Sequence, residues 1–242
     1  MSNILEVSGL TSGYGDLTVI RDVSLSVAPA TITAVLGRNG AGKTTTLKAI
    51  AGLLPVGSGE ITFKGESITK VPPFRRRALG FGFVQENKRV FKRRSVEENL
   101  LMGLYGLGIR RREEEERLDE AYNRFPILKE RRKLPAGFLS GGQQQMLAIA
   151  VSLLNHPSLL MLDEPSSGLA PSIVSEVMQT VKGLRDVDGL AVLLIEQAVD
   201  TTLAVADHVV LLDVGRVVHS GPADEPGLRN IVEAAYMAAP AA

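Results

Sequence analysis

Gly37-Arg38-Asn39-Gly40-Ala41-Gly42-Lys43-Thr44 decides the reading of this chain. The octet is a phosphate-loop pattern, preceded by the apolar run Ile32–Leu36 and followed by a helix-competent segment, Thr44–Ala51. Its glycines let successive backbone N–H groups curl inward toward phosphate oxygens, and the following helix adds the positive end of its dipole. Gly37, Asn39, Gly40, Ala41, Gly42, Lys43, Thr44 and Thr45 are therefore the candidate phosphate-binding residues. Lys43 reaches the β- and γ-phosphates, and Thr44 offers a hydroxyl to Mg²⁺, a hard cation that takes few protein ligands.

Outward from the loop, short aliphatic runs recur at Phe81–Val84, Leu159–Leu162, Ala191–Ile195 and Val209–Leu212, several without polar alternation, as in strands buried on both faces. Amphipathic stretches, Gln143–Leu154 and Ser172–Leu184 among them, lie between these runs. This alternation predicts an α/β fold of the P-loop NTPase kind, a mainly parallel sheet flanked by helices. Ile4–Val7, Ser24–Val27 and Glu60–Phe63 alternate instead and predict an antiparallel β part at the N-terminal side. Ser95 to about Lys133 reads as helical and highly charged, opening with Ser95 and Glu98 spaced as a capping box, and is the candidate second lobe. Arg110, Arg111 and Arg112 precede Glu114, Glu115 and Glu116 by four residues, a solvated helix face. Ala234–Ala242 reads as a frayed apolar tail.

Leu159-Leu160-Met161-Leu162-Asp163-Glu164 completes the candidate site, because an apolar strand ends there in two carboxylates. Asp163 is placed to hold Mg²⁺ and Glu164 to polarise the attacking water for in-line displacement. Ser140-Gly141-Gly142-Gln143 leads a further helix and makes a second anion-seeking helix terminus.

Composition bounds the rest. The 242 residues, 45% hydrophobic and 22% charged, suit one large folded domain with a smaller lobe. Twenty-seven basic residues balance 27 acidic ones, so no global field recruits nucleic acid, and none is expected as a partner. The absence of cysteine excludes disulfides, thiolate metal sites and cysteine nucleophiles. Met1–Leu10 carries no secretory pattern, and no apolar run approaches the ~18–20 residues of a membrane span, so a cytoplasmic location is expected, with any membrane role borrowed from a partner.

Leu139-Ser140-Gly141-Gly142-Gln143, following the phosphate loop and preceding the carboxylate strand, resembles the signature sequence of ABC transporter ATPases. The resemblance spans nearly the whole chain and implies a single ABC ATPase domain over residues 1–242. Residues 1–94 and 156–242 would form a RecA-like core with its antiparallel part, and 95–155 the helical signature subdomain. It further implies ATP with Mg²⁺, and a second ATPase subunit, identical or related, that packs head to tail so that each ATP lies between one phosphate loop and the other signature. Membrane permease subunits would dock in the groove between the lobes, placing the protein at the inner face of the cell membrane. Tyr14 matches the family's adenine-stacking aromatic. Either Gln85 or Glu86 occupies the position of the glutamine near Mg²⁺. Gln197 stands where a histidine commonly touches the γ-phosphate, which leaves any base role to Glu164, and Ala170 stands where aspartate is commonest. Glu86, Arg89, Phe91, Glu97-Glu98-Asn99-Leu100, Gly168-Leu169-Ala170-Pro171 and Glu196-Gln197 together resemble the ATPases of branched-chain amino-acid importers and their urea or amide relatives. Lipid or other exporters carry nearly the same cassette. Soluble ABC proteins usually carry two cassettes or a long coiled-coil insertion, and neither pattern occurs here.

Overall fold

The computed structural model describes residues 2–86 and 90–237. Arg89 and Ala238–Ala242 therefore lie outside the described residues. In chain order the elements are β1 (Leu5–Tyr14), β2 (Leu17–Val27), β3 (Ile32–Leu36), α1 (Lys43–Ile50), β4 (Val56–Phe63), β5 (Glu66–Ser67), α2 (Pro73–Leu79) and β6 (Phe81–Val84). Then come α3 (Val96–Leu104), α4 (Arg111–Arg124), α5 (Pro126–Glu130), a 3₁₀ turn (Ala136–Phe138), α6 (Gly141–Leu153), β7 (Leu159–Asp163) and α7 (Pro171–Asp188). The chain closes with β8 (Ala191–Glu196), α8 (Val199–Leu203), β9 (His208–Asp213), β10 (Arg216–Pro222) and α9 (Leu228–Met237).

One sheet has six strands in the order β10-β9-β3-β8-β7-β6, parallel except for β10 at its edge. The other is antiparallel with order β2-β1-β4-β5. Every residue of β3, β7 and β8 is buried, which is why these runs show no polar alternation. β3 sits between β8 and β9, so the loop after it leaves from the middle of the sheet, where connections diverge to either side and ligands of open α/β sheets bind.

One apolar cluster joins α3, α4 and α6 to the sheet face of β7 and β8 and to α7. A second fills the space between the other sheet face, α1 and the antiparallel sheet. A third holds Leu228 and Val232 of α9 against Ala34, Leu36, Val209 and Leu211. The charged segment after Ser95 is helical as expected and divides into three helices, with α5 beginning at Pro126, which restarts the chain at a helix N1 position. The capping box is present: Ser95 Oγ accepts from the Glu98 amide while a Glu98 carboxylate oxygen accepts from the Ser95 amide. Arg111 and Arg112 pair with Glu115 and Glu116 as the spacing predicts. Arg110 precedes the helix, and the Glu114 amide donates to its carbonyl. Two expectations need correction. Residues 234–237 are no frayed tail but the last turn of α9, because Leu228, Val232 and Tyr236 fall on one helix face against β3 and β9. The antiparallel strands run longer than expected, since β-bulges carry β1 and β2 past their polar and glycine residues.

Candidate functional site

The phosphate loop is built by backbone constraint. Gly42 caps α1 at φ 101°, and Gly40 also has positive φ, 82°. A Cβ at Gly42 would lie 2.7 Å from Ile20 Cγ2, and one at Gly37 would lie 2.3 Å from the Leu212 carbonyl oxygen, so both positions exclude a side chain. The loop's own turn closes through the Ala41 amide donating to the Arg38 carbonyl, 3.1 Å. The Gly215 amide in the β9–β10 turn donates to the Ala41 carbonyl, 2.9 Å, and fixes the loop from outside.

Lys43, 4% exposed, donates from Nζ to the Gly37 and Arg38 carbonyls at 2.8 and 3.1 Å and lies 3.3 Å from Glu164 Oε1. Gln197 Nε2 donates to Glu164 Oε1 and Oε2 at 2.9 and 3.0 Å and to Asn39 Oδ1. Thr44 Oγ1 donates to Asp163 Oδ1 at 3.0 Å. Lys43, Thr44, Asn39, Asp163, Glu164 and Gln197 are thus gathered from the ends of β3, β7 and β8 into one polar cluster. Thr45 is buried in the first turn of α1.

Burial pushes the Asp163 carboxyl up to about 6 from 3.8; the Glu164 and Glu86 carboxylates add to the rise, against the Thr44 hydrogen bond and the Lys48 charge. That influence brings Glu86 within electrostatic reach of Asp163. Gln85, one residue earlier, lines a cavity of about 340 Å³ with Phe91, Asn99 and Met102. Glu164 itself adopts φ +47°, a left-handed conformation costing about 1–3 kcal/mol for a non-glycine residue and typical of functional sites. Its amide donates to the Ile195 carbonyl, 2.9 Å.

Two residues of this neighbourhood were not singled out as site residues by the sequence. Glu196, 2% exposed, accepts from the Ser166 amide and hydroxyl at 2.9 and 2.8 Å and from the Gln197 amide at 3.2 Å. Burial raises its carboxyl pKa, opposed by these donors. It stands, like Asp163, at the tip of a buried strand, which was the available signal. The second, Tyr236, accepts from the Gly37 amide at 3.1 Å.

Tyr14 ends β1, 45% exposed, with Lys48 Nζ 3.4 Å from its hydroxyl and 5.8 Å from its ring centroid. The Ser140–Gln143 segment stands apart, and no hydrogen bond among the described residues joins it to the phosphate loop. It forms a capping box: the Gln143 amide donates to Ser140 Oγ at 3.2 Å and the Ser140 amide donates to Gln143 Oε1 at 3.0 Å. α6 therefore begins at Gly141, two residues before the expected start. A Cβ at Gly142 would lie 2.4 Å from Ile173 Cγ2, so this glycine lets α6 approach α7. Ala170 is the N-cap of α7 and supplies no side-chain cap.

Residues 20–167, a span that begins before the phosphate loop and ends beyond Asp163 and Glu164, match the ABC transporter family. The chain belongs to that family. It is an ATPase subunit of the ABC type, and several curated relatives match it along nearly their whole length. The probable branched-chain amino acid transport ATP-binding protein LivF of Archaeoglobus fulgidus is 40% identical over 222 residues, 92% of this chain and 93% of the relative. The high-affinity branched-chain amino acid transport ATP-binding protein BraG of Pseudomonas aeruginosa is 39% identical over 89% of this chain and 91% of its own length. The lipopolysaccharide export system ATP-binding protein LptB of Haemophilus influenzae is 33% identical, over 92% of each chain. Among solved structures, a nucleotide-free ATP-binding cassette from an ABC transporter superposes with a TM-score of 0.86 at 26% identity, covering 98% of this chain and all of its own. No described helix of this ABC ATPase is long and apolar enough to cross a membrane.

Proposed function

We propose that this ATPase energises uptake of branched-chain or chemically related amino acids through a membrane permease, working as a head-to-tail pair with a second copy or a related subunit at the inner face of the membrane. Glu196 and Gln197 carry the reading. They belong to the pattern resembling the importer branch, and here they bond Ser166 and Glu164. The likeness to LivF and BraG supports the same branch. The lower identity to LptB keeps lipid export as the second reading.

The residue roles follow from the cluster. Among the described residues no group of three or more His, Cys, Asp or Glu side chains is arranged to hold a metal by itself. The oxygen donors of Thr44 and Asp163, with Glu86 nearby, instead suit Mg²⁺, which takes one or two carboxylates and completes its shell with water and substrate phosphates. Mg²⁺ held there would neutralise charge on the β- and γ-phosphate oxygens. Lys43 exchanges its carbonyl and Glu164 partners for the β- and γ-phosphates, and the amides of Asn39 to Thr45 line the phosphate chain. Glu164, released from Lys43, takes the proton of the attacking water. Gln197 cannot take up a proton, so it orients Glu164 and the γ-phosphate through its amide. Tyr14 stacks on the adenine. Ser140, Gly141, Gly142 and Gln143 close over the γ-phosphate held by the partner subunit. Gln85 lines the groove between α2, β6, α3 and α6, where exposed Leu53, Phe91 and Met102 offer apolar surface to a permease. Gln85 thus lies one residue from the metal-facing Glu86.

The test is reconstitution in vesicles with the permease proteins that copurify with this chain. Stimulation of ATP turnover by leucine and its binding protein supports import. Stimulation by lipid alone, with no response to amino acids, transfers the reading to export.

A further inference from the structure

α9 ends its path beside the nucleotide site. Leu228 and Val232 are buried against β3 and β9, the strands that launch and flank the phosphate loop, and Tyr236 packs against the same cluster one turn further on. Tyr236 is 199 residues from Gly37 in sequence, yet its hydroxyl oxygen lies 3.1 Å from the Gly37 amide nitrogen and accepts its proton. The pairing of β3 with β8 and β9 ends at Leu36, so Gly37 is the first residue beyond the ladder. The phenol supplies an acceptor where strand pairing stops. The Gly37 carbonyl meanwhile accepts from Lys43 Nζ at 2.8 Å, so this one residue is tethered from both sides, by α9 and by the lysine. No side chain at position 37 can substitute for the tether, because a Cβ would collide with the Leu212 carbonyl.

Burial raises the Tyr236 pKa, and the Glu164 and Glu196 carboxylates add to that rise, against the Gly37 hydrogen bond. The phenol therefore stays neutral across the working pH range and lies within the electrostatic reach of both carboxylates. A neutral phenol can hold an amide without competing for the proton that Glu164 must take.

We propose that Tyr236 is a positioning residue for ATP hydrolysis: its hydroxyl holds the Gly37 amide and so fixes the entry of the phosphate loop, and with it the placement of Lys43 relative to Glu164. When Lys43 leaves the Gly37 carbonyl for a phosphate, the tyrosine is the tether that remains. α9 is on this account a working part of the nucleotide site.

The proposal rests on the reading that the glycine loop grips the phosphates, so the test separates the two. Wild type, Y236F and K43A are compared as full chains by steady-state ATP turnover, ATP binding, thermal unfolding and hydrogen exchange of the ¹⁵N-labelled Gly37 amide. Phenylalanine keeps the ring in the apolar cluster and removes only the acceptor. Losing the partner of a buried amide is expected to lower kcat about tenfold and to speed Gly37 exchange about tenfold, with KM for ATP within about twofold and the melting temperature lowered by only a few degrees. The ratio of Y236F to wild-type kcat should stay constant from about pH 6.5 to 8.5, because the phenol does not titrate there. Wild-type kcat in Y236F, unaltered Gly37 exchange, or a fall in kcat confined to temperatures at which Y236F has begun to unfold overturns the proposal. If K43A binds and hydrolyses ATP normally, the phosphate-loop reading fails. If K43A is impaired while Y236F behaves as wild type, only the role of Tyr236 fails.

Discussion

Replacing Asp163 by Asn should make the nucleotide-free protein more stable while removing its activity. The carboxylate is 2% exposed at the end of β7, and burial lifts its pKa from 3.8 to about 6. At about 1.4 kcal/mol per pH unit, that gap corresponds to a penalty of about 3 kcal/mol for the charged form in the folded state. Solvent relaxation and screening reduce this by about half, to about 1.5 kcal/mol. Asparagine has nearly the same shape and keeps an oxygen to accept from Thr44 Oγ1, so packing is preserved while the buried charge is gone. For a chain of this size the gain translates to about 3–6 °C in melting temperature. The sign sets the pH window. The folded protein holds this proton more tightly than the unfolded chain, so wild-type stability from this group is complete below about pH 4 and lost as pH rises through about 6. The advantage of D163N is therefore full at pH 8 and absent near pH 4. Thermal unfolding in EDTA without nucleotide, scanned over pH, measures it. With ATP and Mg²⁺ added at pH 8 the order should invert, because only the wild-type site is stabilised by the bound metal. A variant no more stable than wild type at pH 8, or a difference indifferent to pH, would refute the claim that Asp163 is held as a strained buried charge.

Two stability predictions follow from backbone geometry. Val214, 61% exposed, sits at φ +39° in the β9–β10 turn, a conformation that a β-branched residue tolerates poorly, and V214N should raise unfolding stability by about 1 kcal/mol in a urea titration without changing kcat. Ala170 heads α7 without a side-chain cap, so A170D should add about 1 kcal/mol, read as a shift in the denaturation midpoint.

The central architecture was legible because it rests on short-range pattern. Uninterrupted apolar runs mark β3, β7 and β8, the glycine spacing fixes the loop between β3 and α1, and carboxylates at strand tips stand out against their apolar neighbours. Boundaries were less legible where polar or glycine residues sit inside an element. β2 runs through Arg21 and Asp22 by a bulge, with Asp22 at φ +56°, and α6 starts in two weak helix formers because the Ser140–Gln143 cap holds them there. Contacts distant in sequence were not legible at all. Nothing local to Tyr236 announces Gly37, although Leu228, Val232 and Tyr236 recur at four-residue intervals and could have marked α9 as an amphipathic helix. The φ of Glu164 was equally hidden, since backbone strain is set by what surrounds a residue. Asn99 shows the same limit. In sequence it was one letter of a resemblance, whereas in the fold its amide bonds the backbone of Phe91, Arg94 and Ser95 and shapes the loop that enters the helical lobe.

The account turns on a nucleotide shared between two subunits, with Glu164 as the group that consumes it. The most direct measurement is the mass in solution of the E164Q variant with ATP and Mg²⁺, alone and combined with S140R. E164Q should bind ATP, fail to hydrolyse it and accumulate as a dimer, while E164Q/S140R binds ATP with similar affinity and stays monomeric because the arginine blocks the Ser140 helix tip. ATP-loaded E164Q that remains monomeric, or a double variant that dimerises as readily as the single one, would contradict it.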